Sequence, residues 1–309
     1  MCSLRRPRLP TGANQFDLKE AFEWPGTRVG LGWNRGTPPS QLAGTLNDRL
    51  ALVDHHFEPA CVGHRAPVLL VAFAAQGPGM QQWQVPCAAA RAAGGPLDVL
   101  YLADPSNSYY LQDPRGGWEG LAHYGALIDA HAAWYERVLM LGSSMGATAA
   151  LQHAHRAARV LAFGPRVDLR RSHGSFVPVA AKHACAQAID RALETALETV
   201  HAREHASGGG TAKGGTGIGG IGSIGGTGTG TRGGTGVGRV AVHVGSGNLE
   251  DMTQAARVRG RRAVVVVEHD TFHHNVPMHL EREGLLVPLL KRELFELVRE
   301  LVRVPLPAP

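Results

Sequence analysis

The sequence is poor in cysteine. Four occur among 309 residues, Cys2, Cys61, Cys87 and Cys185, and no two are spaced as C-x-x-C. Neither a disulfide-stapled scaffold nor a zinc-binding cysteine cluster fits that pattern, so structural thiols in a reducing compartment are expected. Long apolar runs are missing as well. None reaches the roughly 18 residues that a membrane-crossing helix needs, and no membrane span is expected. The N-terminus lacks the apolar core of a secretory signal. It also lacks acidic residues before Asp17, while Arg5, Arg6 and Arg8 make it basic. A cytoplasmic location is the default expectation, and an organelle-targeting segment is the alternative. Aromatic residues make up only 6% of the chain, and none interleaves with the scattered arginines behind the formal net charge of +5. A nucleic-acid-binding surface usually needs a concentrated basic face, so no nucleic-acid partner is expected.

Glycine, by contrast, is abundant in one place. Seventeen of the 40 glycines lie between Gly208 and Gly238, where they alternate with threonine and a few isoleucines. Such a tract buries too little apolar surface to offset its ordering entropy, so residues 206–238 are expected to be a flexible insertion. Within it, Gly217-Ile218-Gly219-Gly220-Ile221-Gly222 spells G-x-G-x-x-G. That motif has meaning only between a strand and a helix, and here low-complexity chain flanks it on both sides.

Outside the tract, short apolar runs alternate with helical stretches. Strands are expected at 68–73, 97–103, 137–141, 159–163, 239–244 and 263–267. Helices are expected at 80–93, 118–135, 145–157, 179–205 and, as one long element, 277–302. This alternation predicts an α/β fold with a doubly wound, mostly parallel sheet. Residues 1–65 read as an N-terminal extension, with a candidate strand at 28–33 and an antiparallel start to the sheet. Residues 66–205 and 239–309 are expected to form the main α/β domain. Ligands in such sheets sit at the carboxyl ends of the strands, so the loops just after each strand carry the interest.

The sharpest of these loops is Gly142-Ser143-Ser144-Met145-Gly146, a G-x-S-x-G between an apolar strand and a helix. A nucleophile on so sharp a bend has strained backbone angles, and only very small neighbours can pass close to it. Gly142 and Gly146 provide that clearance and leave Ser144 as the nucleophile. A serine hydroxyl needs a base to take its proton. The loop after the last strand offers His269, His273 and His274, of which His274, just before the final helix, is favoured and His273 is the alternate. The loop after the preceding strand offers Glu250 and Asp251 as the acid that orients the imidazole. Asp251 is preferred for its shorter, stiffer side chain. Either acid could instead cap the following helix. His269, Asp270, His273 and His274 together also raise a metal-dependent alternative, although no second ligand cluster accompanies them.

On these residues the chain resembles the α/β-hydrolase family over about residues 66–303, excluding the glycine tract. The nucleophile–acid–base order of Ser144, Asp251 and His274 is the order that fold uses. The resemblance implies ester, thioester or related acyl chemistry through an acyl-enzyme on a small-molecule substrate, with no cofactor; an acyltransferase using the same triad, or a non-catalytic binding protein that keeps the fold, is the alternative. It also implies an oxyanion hole from the backbone N–H of Met145 and one N–H from the loop after strand 68–73, nearest Ala74 or Ala75. That loop reads Phe73-Ala74-Ala75-Gln76-Gly77 and lacks the His-Gly-Gly run of many lipases. The loop after strand 97–103 opens toward the same crevice. Tyr109 and Tyr110 are its candidates for lining a substrate pocket, and Asp104 is a candidate that more readily fixes the loop by hydrogen bonding.

Loop-closure entropy changes slowly with length. Deleting residues 208–236 should therefore leave the melting temperature and any esterase rate close to those of the parent. A collapse of either would show that the tract is structural.

Overall fold

Strand runs such as Val68-Leu69-Leu70-Val71-Ala72-Phe73 are apolar on both faces, which suits a parallel sheet covered by helices on each side. The computed structural model describes residues 55–60, 65–76, 83–94, 97–104, 106–170, 177–208 and 239–302. The strand expected at 28–33 and the glycine tract from 209 onward lie outside these. Seven strands form one sheet: β1 (His55–Glu58), β2 (Val68–Phe73), β3 (Asp98–Leu102), β4 (Arg137–Ser143), β5 (Arg159–Phe163), β6 (Arg239–Gly245) and β7 (Val264–His269). Their spatial order is β1-β3-β2-β4-β5-β6-β7. β1 runs antiparallel to β3, and every other pairing is parallel.

Side chains alternate between the two faces of the sheet, as a period of two demands. Leu69, Val71 and Phe73 of β2 enter one core, while Val68, Leu70 and Ala72 enter the other. The first core is covered by α2 (Gly120–Ala132), α3 (Met145–Gln152), α4 (Val179–Gly208) and α5 (Leu249–Ala256). The second is covered by α1 (Gln84–Gly94), α6 (Val276–Arg282) and α7 (Leu286–Val302). On α7, Leu286, Leu290, Leu294 and Leu297 are buried, and their spacing of four, four and three makes one helical face. Burial of both Cys87 and Cys185 pushes their thiols up to about 12, which suits packing and not reactivity.

Several helix boundaries differ from the sequence expectation, among them the helix expected at 118–135, which spans Gly120–Ala132. The described part of the first helix runs Gln84–Gly94, with Pro86 in its first turn, where the missing N–H leaves no intrahelical bond unmade; the expected start at residue 80 lies outside the described residues. The helix expected at 145–157 ends at Gln152 and continues as a 3-10 turn, Ala154–Arg156. The single final helix is two, because the chain breaks at Gly284, whose φ is +69. Apolar periodicity carries across such a break, so the pattern of leucines does not reveal it.

The sheet order creates the crevice. From β2 the chain moves to β3 on one side, then crosses back over β2 to β4 on the other. The loops after β2 and β4 therefore diverge, and the gap between them is the topological switch point where ligands bind in open sheets. Register pairs Phe73 of β2 with Gly142 of β4, so the loop at Ala74 and the turn at Ser144 border the same gap.

At the far end of α3, His153 is buried and its ring stacks over Phe73 at a centroid distance of 6.1 Å. Burial first, then the charges of Arg156 and His155, push its pKa from 6.5 down to about 3. The unfolded chain therefore takes up this proton before the folded one does. Stability should be complete above about pH 6.5 and fall as pH drops toward 3, by at most about 1.4 kcal/mol per pH unit for this one proton. Measured by urea unfolding between pH 6.5 and 4, His153→Gln should flatten that slope. An unchanged slope would place the proton uptake elsewhere.

Candidate active site

β4 runs directly into α3 with one residue between them. That residue, Ser144, has φ 53 and ψ −114, a backbone conformation rare for a side chain larger than hydrogen. Its N–H donates to Phe163 O of β5 at 2.8 Å, and its carbonyl accepts from Thr148 N–H at 3.1 Å. The turn is tight enough to exclude a methyl group. A Cβ on Gly146 would lie 2.4 Å from Phe73 O and 2.6 Å from Ala74 O, and one on Gly142 would lie 2.2 Å from Gly146 O. Ser144 stays partly accessible, while Ser143, the last residue of β4, is buried.

His274 reaches this serine from the loop between β7 and α6, with its Nε2 2.8 Å from Ser144 Oγ. Its Nδ1 lies 2.8 Å from Asp251 Oδ1 and 3.0 Å from Oδ2. A carboxylate only accepts, so Nδ1 carries the proton and Nε2 is left to accept from the serine hydroxyl. Asp251 is fully buried in the first turn of α5. The helix cap is Asn248, whose Oδ1 accepts Asp251 N–H at 3.1 Å, and the aspartate side chain is thereby left to face the histidine. Gly164, at φ +58 just after β5, lets the His274 ring lie flat against the chain. A Cβ there would sit 3.1 Å from both Cε1 and Nδ1 of the ring.

A doubly wound sheet that starts antiparallel carries a serine at a strained strand-to-helix turn at its switch point, and the loops after its last two strands close on that serine. The fold is that of the α/β-hydrolases. No family model and no curated protein sequence matches the chain. Among solved structures it is similar to Est1E from Butyrivibrio proteoclasticus, with 10% identity over 79% of this chain and 94% of that one and a TM-score of 0.48. It is also similar to FphF, a fluorophosphonate-binding serine hydrolase from Staphylococcus aureus, with 8% identity over 73% and 83% and a TM-score of 0.44. A third similar structure is the capsule O-acetyltransferase of Neisseria meningitidis serogroup A, with 10% identity over 80% and 92% and a TM-score of 0.42.

Not every residue expected beside Ser144 is available there. The N–H of Ala74 is engaged, donating to Leu102 O at 2.8 Å as the β2–β3 ladder continues past the strand end. That bond turns the Ala74 N–H toward β3 and away from Ser144; Ala75 is the other residue of that loop expected as an oxyanion donor. Met145 opens α3, where the first N–H groups have no intrahelical acceptor.

Tyr110 is fully buried, with its hydroxyl 2.9 Å from Ala74 O and 3.0 Å from Leu102 O and its ring edge-on to Phe73 and Tyr124. It braces the loop instead of lining a pocket. Asp104 is likewise buried, accepting from Ser106 N and Oγ, Ser108 Oγ and Tyr110 N. These bonds hold a loop in which Asn107, Tyr109 and Tyr110 all have positive φ. Burial raises the Asp104 pKa against the pull of those donors. Tyr109 alone of the three remains half-buried.

Of the alternates, His273 is exposed, and Glu250 turns to Arg166 at 3.2 Å. His269 Nε2 meets His243 Nδ1 at 2.9 Å. Among the described residues no three metal-ligating side chains converge, and no helix is long and apolar enough to cross a membrane. A groove of about 310 Å³ lined by Gln152, His153, Arg156 and Arg191 opens at the opposite end of α3 from Ser144. Sequence reading passed over Gly164 and Arg166. Both lie in a loop just after a strand, Phe163-Gly164-Pro165-Arg166, which was the available signal.

Two substitutions separate support from contact. Tyr110→Phe should lower unfolding free energy by about 1–2 kcal/mol through the lost hydroxyl bonds while leaving KM unchanged. A raised KM at unchanged stability would return Tyr110 to the pocket. Glu250→Gln should keep most turnover, and a loss as large as that of Asp251→Asn would move the acid by one residue.

Proposed function

We propose that this chain is a serine hydrolase that cleaves an ester or related acyl bond through an acyl-enzyme. The observation that carries the reading is the unbroken hydrogen-bonded series from Ser144 Oγ through His274 to Asp251, with contacts of 2.8 Å on each side of the imidazole. Ser144 Oγ attacks the acyl carbonyl as its proton passes to His274 Nε2. The imidazolium that forms is stabilised by Asp251, which stays ionised. The tetrahedral oxyanion sits against the N–H of Met145 and that of Ala75, donors fixed by the backbone before the reaction begins. Collapse expels the leaving group, which takes the proton from His274, and the acyl group remains on Ser144. Water then attacks the acyl-enzyme with His274 again as base, and the acid product leaves. The same two steps with an alcohol in place of water would transfer the acyl group, so the acceptor is set by what the crevice admits at the second step.

A fluorophosphonate should label the protein, with the adduct mapping to Ser144 by mass spectrometry. Ser144→Ala and His274→Ala should each abolish nearly all turnover of an acyl ester while keeping the parent's melting temperature within a few degrees. The double variant should be little worse than either single, because the two groups act as one unit. Asp251→Asn should cost about a hundredfold or more, since it disturbs the imidazole without removing it. Full turnover by Ser144→Ala would sink the reading. Loss of activity in chelator, restored by zinc, would transfer the chemistry to the histidine loop.

A further inference from the structure

The Asp251 carboxylate has a second partner that the triad alone does not require. Arg166 Nη1 lies 3.0 Å from Asp251 Oδ1, the same oxygen that His274 Nδ1 approaches at 2.8 Å. The guanidinium is mostly buried, at 11% exposure, and Asp251 is entirely so. Arg166 is not placed by its ion pair alone. Its backbone N–H donates to Thr148 Oγ1 at 2.9 Å, and that hydroxyl lies 3.2 Å from both Ser144 O and Arg166 O. The first turn of the helix that begins just after Ser144 therefore holds the backbone from which the arginine reaches the acid. On the other side, Gly164, two residues earlier in the same loop, forms the surface behind the His274 ring.

Resting on the hydrolase reading, we infer that Arg166 is a positioning residue: a fixed cation that keeps the buried Asp251 carboxylate ionised and correctly turned toward His274. A fully buried carboxylate facing a neutral imidazole is poorly compensated, and burial alone drives such a group toward its protonated form. A protonated or rotated Asp251 no longer fixes the Nδ1–H tautomer that leaves Nε2 free to act as base. Arg166 prevents this at the resting stage, before any imidazolium exists. The charged and titratable groups around the ring are Asp251 from α5, Arg166 from the loop after β5, and Glu250 on the far side of the guanidinium at 3.2 Å. Ser144 faces the ring from the turn, and the exposed His273 precedes it in its own loop.

Without the cation the buried carboxylate loses its charged partner, and an Asp251 that is protonated or turned no longer orients the imidazole, so activity is lost at a higher pH than in the parent. In Arg166→Met the acid limb of the kcat/KM profile should move up by about one pH unit. Its kcat at pH 7 should fall roughly ten- to a hundredfold, with KM within about twofold of the parent, because the arginine does not touch substrate. Arg166→Lys, which keeps the charge but not the guanidinium fork, should return the acid limb to its parental position and recover part of kcat. An unmoved limb in Arg166→Met, or a change in KM alone, would overturn the inference, the latter making Arg166 a substrate contact.

A second readout needs no turnover. Proton NMR of the resting protein should show the Nδ1 proton of His274 far downfield, absent in His274→Ala. That resonance should shift or broaden in Arg166→Met and be restored in Arg166→Lys. If it is identical in all the arginine variants, the inference fails even if Ser144 proves to be the nucleophile. If Ser144→Ala keeps full turnover while the resonance still responds to Arg166, the hydrolase reading fails and the clamp on Asp251 stands. Should Arg166→Met not fold, Arg166→Gln, which keeps hydrogen-bonding groups but not the charge, carries both measurements against the parent and Arg166→Lys.

Discussion

Between the turn at Ser144 and the end of β2 there is no room for a single methyl group, and the rest of the site depends on that contact. Gly146 presses its bare backbone against the carbonyls of Phe73 and Ala74. This closeness lets α3 start immediately after β4, which in turn forces Ser144 into its strained conformation. The strain is maintained because the surroundings over-determine it. The Ser144 N–H is bonded to β5 and its carbonyl to Thr148, and all eight residues of α3 are buried. A serine so held projects from the sheet edge at a fixed place, and other loops can be built to meet it.

Those loops meet it with charge arranged in a line. From Ser144 the contacts run to His274, then Asp251, then Arg166, ending at the partly exposed Glu250. His274, Asp251 and Arg166 each have a polar neighbour of the line on either side, and charge alternates from Asp251 outward. A buried carboxylate is costly unless its lone pairs find donors, and here the donors come from two loops. The histidine loop supplies one and the loop after β5 the other. The proposed chemistry and the stability of this end of the sheet thus share the same groups.

The loop after β3 is braced by a different logic. Asp104 gathers backbone and hydroxyl donors from Ser106, Ser108 and Tyr110, and the Tyr110 hydroxyl closes on the carbonyls of Ala74 and Leu102. Through Ala74 this brace touches the same β2 end against which Gly146 packs. Residues that look like pocket lining from their place in the sequence are therefore the rigid backing of the crevice wall.

What the sequence determined alone was set by local and periodic physics. The apolar runs marked the strands, their alternation with helices marked the doubly wound sheet, and two glycines around Ser144 marked a turn too tight for side chains. The order Ser144, Asp251, His274 followed from strand-end positions, because a loop's place after a strand is readable without knowing the sheet order. Three-dimensional packing decided the rest. It ended a helix at Gly284 inside an unbroken leucine pattern and engaged the Ala74 N–H in a ladder bond. It turned Tyr110 inward and left His273 outside, although both sit beside residues facing the crevice. It also brought Arg166 to Asp251 across 85 positions of chain. Nothing local encodes that pairing, because an arginine's guanidinium reaches wherever its backbone is anchored, and the anchor is the hydroxyl of Thr148 on another element.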